Sequence, residues 1–372
     1  MATVPTASEL LAVRTLTDGG QKAVDVAHDV AEFVRGAKKT LDVAQYDFHL
    51  APETAAVAAG AIKEAAARGV AVRMIYDVGH RNPIPVPPPP EPDAELISSL
   101  GVPHRPIAGV PDLMHHKYVV RDGEVVWTGS ANWTDDSWSR QENVIAVVES
   151  SKLAAAFTKN FEELWSKGIV EESGFVEPNP ARVDGKRVRA WFTPGFGEAL
   201  SRRIAKHIRR AKRRVRICSP VLTVAPVLSA LCERLDDGLD IAGCVDRPQI
   251  EGVIYQWGVD GNASWKLPLL KQALTADFSA KPSTPWAEGS LHDFMHAKIT
   301  VVDDVVFTGS FNLSRSGEQN AENVLEIEDA ALAERLAGFV DEVRARYPRF
   351  TPSDSGGQRD EQRDQRDRSQ HE

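Results

Sequence analysis

Apolar positions along the chain change period several times, and the changes come in the same order twice. Residues 26–36 carry apolar side chains at helical spacing and run into the strand-like stretch 40–46 through Ala37-Lys38-Lys39. Residues 198–210 repeat the helical pattern and lead through Ala211-Lys212-Arg213 into the strand-like stretch 214–218. A further helix is predicted over 53–68 and another over 227–236, each stopped by a glycine, Gly69 or Gly238, of the kind that closes a helix in the left-handed conformation. Short apolar runs ending in aspartate follow, 70–77 and 239–246, with Asp77 and Asp246 as their last residues. Strand, helix, strand in this order predicts a parallel pair with a crossover helix in each half.

An irregular segment comes next in both halves. The first, 83–92, is rich in proline and reads as a stiff surface loop. The second, 248–293, is longer, reads as an inserted loop, and holds Trp257, Trp265 and Trp286. Each half then predicts a β-hairpin, 117–121 returning through 124–128 after Asp122-Gly123, and 299–302 returning through 305–308 after Asp303-Asp304. Both return strands enter Thr-Gly-Ser-x-Asn (128–132 and 308–312), and both later reach Glu-Asn-Val (142–144 and 322–324). A last helix closes each half, 152–165 and 330–347. So ordered an internal repeat predicts two α/β domains related by a pseudo-twofold axis. The expected boundaries are 1–172 and 188–350, joined by a linker at 173–187 and followed by a disordered polar tail at 351–372.

Bulk properties narrow the class. A length of 372 residues suits two domains, and 42% hydrophobic with 26% charged residues is ordinary for a globular protein. The net charge of -9 argues against broad, salt-driven nucleic-acid binding, which requires many cations against phosphates. The three cysteines, Cys218, Cys232 and Cys244, lack Cys-x-x-Cys spacing and read as buried small hydrophobes. The N-terminal stretch reads as neither a signal peptide nor a membrane span, so a cytoplasmic location and no transmembrane segment are expected. The chain is expected to be a monomer.

The candidate chemistry lies at the start of each hairpin. His115-His116-Lys117 precedes Asp122 in His-x-Lys-x4-Asp spacing, and His296-Ala297-Lys298 precedes Asp303 in the same spacing. Residues two apart on a strand share a face, so each half offers one imidazole and one ammonium together, and a pseudo-twofold brings the four into one site. One imidazole attacks phosphorus, the other protonates the leaving oxygen, and the lysines neutralise the non-bridging oxygens. A histidine titrating near about 6.5 allows one neutral and one protonated imidazole to coexist. His116 is expected to face away. Asp122 and Asp303 complete the motif, either as catalytic groups or as ordinary turn residues. Ser130, Asn132, Ser310 and Asn312 suit the binding of phosphate oxygens, and Glu142 and Glu322 suit the orientation of a histidine nitrogen. No cluster of carboxylates with metal-ligand spacing lies near these histidines in the sequence.

Two His-x-Lys-x4-Asp motifs, each followed by Gly-Ser-x-Asn, resemble the phospholipase D superfamily over nearly the whole ordered length. The resemblance implies two α-β-α sandwich domains with the active site at their interface. It also implies a phosphohistidine intermediate on His115, acid and base roles for His296, and no metal or other cofactor. The superfamily contains enzymes of phospholipids and nucleases. The basic helix 202–214 offers cations to nucleic acid or an anionic membrane, and the Trp-bearing segment 248–293 offers an acyl-chain or peripheral membrane contact. A phosphatidyl-type diester is the expected substrate, an endonuclease is the alternative, and a silent phosphate-binding module is remote.

Overall fold

The computed structural model describes residues 10–79, 92–259, 261–284 and 292–351. Two eight-stranded sheets dominate it. In the first, the parallel strands Thr40–Gln45, Ala71–Val78 and His104–Ala108 continue through Lys117–Arg121, Val125–Gly129, Gln141–Glu149 and Leu11–Leu16, which are antiparallel. The short strand Phe294–Met295 comes from the second half of the chain and adds to Gln141–Glu149. In the second sheet, parallel Arg214–Cys218, Asp240–Asp246 and Asp277–Lys281 continue through Ile299–Val302, Val305–Gly309, Asn323–Glu328 and Lys186–Phe192.

The crossover helices form where the sequence pattern places them, at Pro52–Ala67 and Ala225–Asp236. Two stretches depart from expectation. Most of 248–293 is packed structure, with helices Arg247–Val259 and Leu267–Ala273 ahead of the strand Asp277–Lys281. Trp257 is buried against the second core, while Trp265 is 61% exposed. The linker expected over 173–187 is partly sheet, because Ala181–Val183 pairs with Lys186–Phe192 at the edge of the second sheet. Of the remaining expectations, those for 83–91, Trp286 and 352–372 lie outside the described residues.

Side chains alternate across the strands and so separate three cores. Tyr118 and Val120 join a central core, while Val119 between them joins an outer one. The central core holds the helices Ser151–Lys167 and Ala330–Arg346 between the two sheets, with Phe157 and Phe161 from one and Leu336 and Val340 from the other. Helices Ala23–Arg35 and Pro52–Ala67 cover the outer face of the first sheet, and Gly197–Arg210 and Ala225–Asp236 that of the second. The two halves therefore share one interior. Among the described residues, no helix is long and apolar enough to cross a membrane.

Candidate active site

Both motifs sit where the parallel strands of their own sheet end at the carboxyl side. Gln45 is opposite Lys117, and the backbone of Tyr46 donates to the His116 carbonyl. The two histidines lie just ahead of the hairpin strands, in an extended link that leaves its own sheet and meets the other half. Met114 bridges to Ala321, and Met295 pairs with Glu142. His115, Lys117, His296 and Lys298 are all buried. Each lysine turns back on its own motif, Lys117 Nζ donating to the His115 carbonyl at 2.7 Å and Lys298 Nζ to the His296 carbonyl at 2.5 Å. Lys117 also lies 4.6 Å from the centre of the Tyr46 ring, whose edge packs on His115.

The four groups influence one another's protonation. Burial, then the charges of Lys117, Lys298 and His296, push the His115 imidazolium well below the ordinary range. Burial and the same two lysines push His296 down as well. Burial lowers Lys117 to about 7, against the opposing charges of Glu322, Asp47 and Asp77, and burial with the charge of Lys117 pushes Lys298 well below the ordinary range. The coexistence of neutral and protonated imidazole near pH 6.5, expected for unperturbed rings, is corrected by this environment, which disfavours the charged form of both histidines.

Each histidine is oriented from the opposite half, by chemically different groups. His115 Nδ1 lies 2.8 Å from a Glu322 oxygen. Burial lifts the Glu322 carboxyl to about 8, opposed by the charge of Lys117 and a hydrogen bond with Ser310. His296 Nδ1 lies 3.1 Å from the Asn143 side-chain oxygen instead. The repeated Glu-Asn-Val does not superpose. Gly129 is opposite Ile145, whereas the matching Gly309 is opposite Val324. Asn143 thus occupies the place of Glu322, and Glu142 that of Ala321. Counted from the helix ends Ser139 and Gln319 to the equivalent positions Asn143 and Glu322, the first half holds one residue more. Glu142 accordingly corrects the expectation that it holds a histidine: it is buried in an ion pair with Lys281 at 3.0 Å and accepts from Tyr347 at 2.5 Å.

Asp122 and Asp303 also depart from a catalytic role. They lie at the far end of strands, about 16 Å from the lysines at the usual rise per residue. Asp122 has φ 55° and accepts the backbone N–H groups of Lys38, Lys39 and Thr40 at 2.6 to 3.1 Å. Asp303 has φ 52° and accepts those of Lys212, Arg213 and Arg214 at 2.8 to 3.1 Å. These bonds hold both carboxyls below the ordinary range against partial burial. Each aspartate ties its hairpin to the strand that follows the Ala-Lys-Lys or Ala-Lys-Arg signature.

Ser130 and Ser310 are committed to the scaffold. Ser130 donates to Asn143 at 2.7 Å and accepts from Val144 N–H, and Ser310 accepts from Asn323 N–H. The side-chain oxygens of Asn132 and Asn312 are buried with no hydrogen-bond partner among the described residues. A Cβ on Gly129 would come within 2.0 Å of the Val144 carbonyl and one on Gly309 within 2.1 Å of Asn323, so glycine is required where the last strand passes close. His116 points away from the other histidines' partners, with Nδ1 3.3 Å from Asn323, and burial lowers it to about 3. Three arginines of the basic helix are engaged: Arg202, Arg203 and Arg209 pair with Glu198, Glu326 and Glu233.

Two α/β halves that place paired His and Lys groups in one shared, buried site define a phosphodiesterase-type enzyme. A family model described as "Cardiolipin synthase, PLD-like domain" matches residues 30–165 and again 204–343. The chain belongs to this family and with it to the phospholipase D superfamily. Curated relatives include the mitochondrial cardiolipin hydrolases of Xenopus laevis, 41% identical over 54 residues, and of Homo sapiens, 27% identical over 89 residues. These matches cover 14% and 22% of this chain and span only 26% and 35% of the relatives' length. Among solved structures, the phosphatidylserine synthase of Haemophilus influenzae Rd KW20 shares the fold, with a TM-score of 0.60 and 14% identity over 90% of this chain and 86% of that one. The polyphosphate kinase of Porphyromonas gingivalis matches with a TM-score of 0.55 and 14% identity, over 90% of this chain and 47% of that one.

Proposed function

We propose that the protein cleaves a phosphatidyl-type phosphodiester through a phosphohistidine on His115. The observation that carries this reading is the unequal support of the two rings. When Glu322 is ionised, the state that the charges of Lys117 and Lys298 favour against burial, His115 Nδ1–H donates to it and Nε2 keeps its lone pair. Attack by Nε2 forms the N–P bond and makes the imidazole cationic, and the carboxylate balances that charge. The amide of Asn143 orients His296 without such compensation, so a protonated His296 is the stronger acid and suits donation from Nε2 to the leaving oxygen as the P–O bond breaks. Water then attacks phosphorus, His296 takes its proton, and the N–P bond breaks to restore His115.

The incoming anion opposes the burial and the lysine charges that depress both rings and both lysines, so binding favours the protonation that His296 requires. Lys117 and Lys298 neutralise the non-bridging oxygens. A lipid diester is favoured over nucleic acid on two grounds. Arg202, Arg203 and Arg209 of helix Gly197–Arg210 are engaged in ion pairs, and the curated relatives that match include proteins named mitochondrial cardiolipin hydrolase.

The test offers purified protein, in EDTA, vesicles of phosphatidylcholine, phosphatidylglycerol and cardiolipin beside single- and double-stranded DNA and RNA, with His115→Asn as control. Headgroup release that His115→Asn abolishes is expected. Cleavage of nucleic acid with no lipid turnover overturns the substrate, and activity lost to EDTA overturns the metal-free route.

A further inference from the structure

Two matching strands carry a fully buried aspartate at or next to their last residue, Asp77 in Ala71–Val78 and Asp246 in Asp240–Asp246, and the reaction as drawn uses neither. Each carboxylate meets the chain at the same point, one residue before a motif histidine. Met114 N–H donates to Asp77 at 2.8 Å, and Met295 N–H donates to Asp246 at 3.2 Å. Both methionines are themselves buried and form the bridges to the opposite half described above. A buried N–H without a strand partner on its own sheet needs an acceptor, and a charged acceptor holds it more firmly than a neutral one.

We infer that Asp77 and Asp246 are positioning residues, Asp77 for His115 and Asp246 for His296, each clamping the backbone from which its imidazole is aimed. Ring and main chain of each histidine are then fixed from different halves: the main chain by the aspartate of its own sheet, the ring by Glu322 or Asn143 of the other. An error of about 1 Å at either anchor is enough to misalign attack or proton transfer.

The surroundings of the two carboxylates bear this out. Asp77 is opposite Ile107 and Asp246 opposite Lys281, so Gly109 and Ser283 occupy matching places two residues further on. A Cβ on Gly109 would stand 2.5 Å from an Asp77 oxygen, so the strand closes directly over the carboxylate. At the matching place the Ser283 hydroxyl donates to the same Asp246 oxygen that receives Met295 N–H, and Gln249 N–H donates to the other at 3.2 Å. Burial raises Asp246 to about 7, with these bonds and the charge of Lys281 opposing it.

The inference rests on the proposed roles of the two histidines, and a leaving-group comparison separates it from them. Single-turnover release is measured from phosphatidylglycerol, whose alcohol must be protonated, and from phosphatidyl-p-nitrophenol, whose phenolate leaves unaided. His296→Asn is the reference and must slow the first far more than the second; if it does not, the assignment of His296 falls, and the positioning of it by Asp246 with it. Given that reference, Asp246→Asn is expected to slow glycerol release about tenfold or more while nitrophenolate release stays within about twofold. Asp77→Asn is expected to slow both alike. Ser283→Ala, a gentler change on the same carboxylate, is expected to show the Asp246 selectivity in smaller degree, and Gly109→Ala the unselective loss of Asp77→Asn. Equal losses on both substrates for Asp246→Asn and Ser283→Ala, or no loss in any of the four variants, overturn the inference.

Discussion

His115 Nδ1 lies 2.8 Å from a carboxylate oxygen of Glu322, a residue 207 positions away in the other half of the chain. The equivalent contact in the other direction, His296 to Asn143, uses a neutral amide. The pseudo-symmetric scaffold thus holds two electrostatically unequal histidines, and that inequality is the basis for separating their roles.

Glu322→Gln keeps an acceptor for the His115 ring but removes the charge that balances a phosphorylated imidazole. Its kcat is expected to fall about a hundredfold with little change in KM, measured on the best lipid substrate. A variant that retained wild-type kcat would show that the carboxylate contributes orientation alone.

Asn143→Asp places a carboxylate on His296. An opposite charge favours the imidazolium, so the His296 pKa rises and the ring stays protonated to higher pH. The alkaline fall in kcat is expected to move upward by about one unit. An unmoved profile would separate His296 from the proton transfer.

Burial lowers Lys117 to about 7, so its cation is present below that pH and lost as pH rises through it. Anion affinity should follow the same sign. Sulfate, whose own charge is constant in this range, is expected to bind about tenfold more weakly for each pH unit above 7, read by calorimetry from pH 6 to 9. Constant affinity would place the anion away from Lys117.

Asp122→Asn tests a structural assignment. Asparagine tolerates the positive φ but accepts the N–H groups of Lys38, Lys39 and Thr40 without charge. A loss of about 1 to 3 kcal/mol in unfolding free energy is expected, with kcat nearly unchanged. The folded pKa of Asp122 is depressed, so its contribution is present above the unfolded carboxyl pKa and disappears as pH falls through the folded one. The difference between wild type and variant in urea unfolding should therefore shrink in acid. A large fall in kcat without loss of stability would return Asp122 to the chemistry.

Much of this was legible in the sequence because the repeat is written in spacing. The crossover helices, both hairpins and the His and Lys pairs follow from period and turn chemistry. Three features resisted. The strands His104–Ala108 and Asp277–Lys281 follow segments of irregular composition and pair only through tertiary contact. Glu142 and Glu322 look equivalent in sequence, but one additional residue before Glu142 moves Asn143 into the site, and strand parity cannot reveal a slip in an irregular connection. Asp122 and Asp303 are constant in the motif for a reason outside it: their partners are backbone groups some 80 to 90 positions earlier in the chain, which carry no side-chain signature. Asp77 and Asp246 stood in plain view as strand ends, and only the paths of Met114 and Met295 show what they hold.

The most direct test of the account is to find the covalent intermediate. Protein mixed with phosphatidylglycerol, quenched within one turnover, digested and fragmented by mass spectrometry should carry a phosphatidyl adduct on His115, resolved from the adjacent His116. The adduct should accumulate in His296→Asn supplied with the p-nitrophenyl diester, where departure needs no acid but hydrolysis lacks its base, and vanish in His115→Asn. An adduct on His296, or turnover persisting in His115→Asn, would contradict the account.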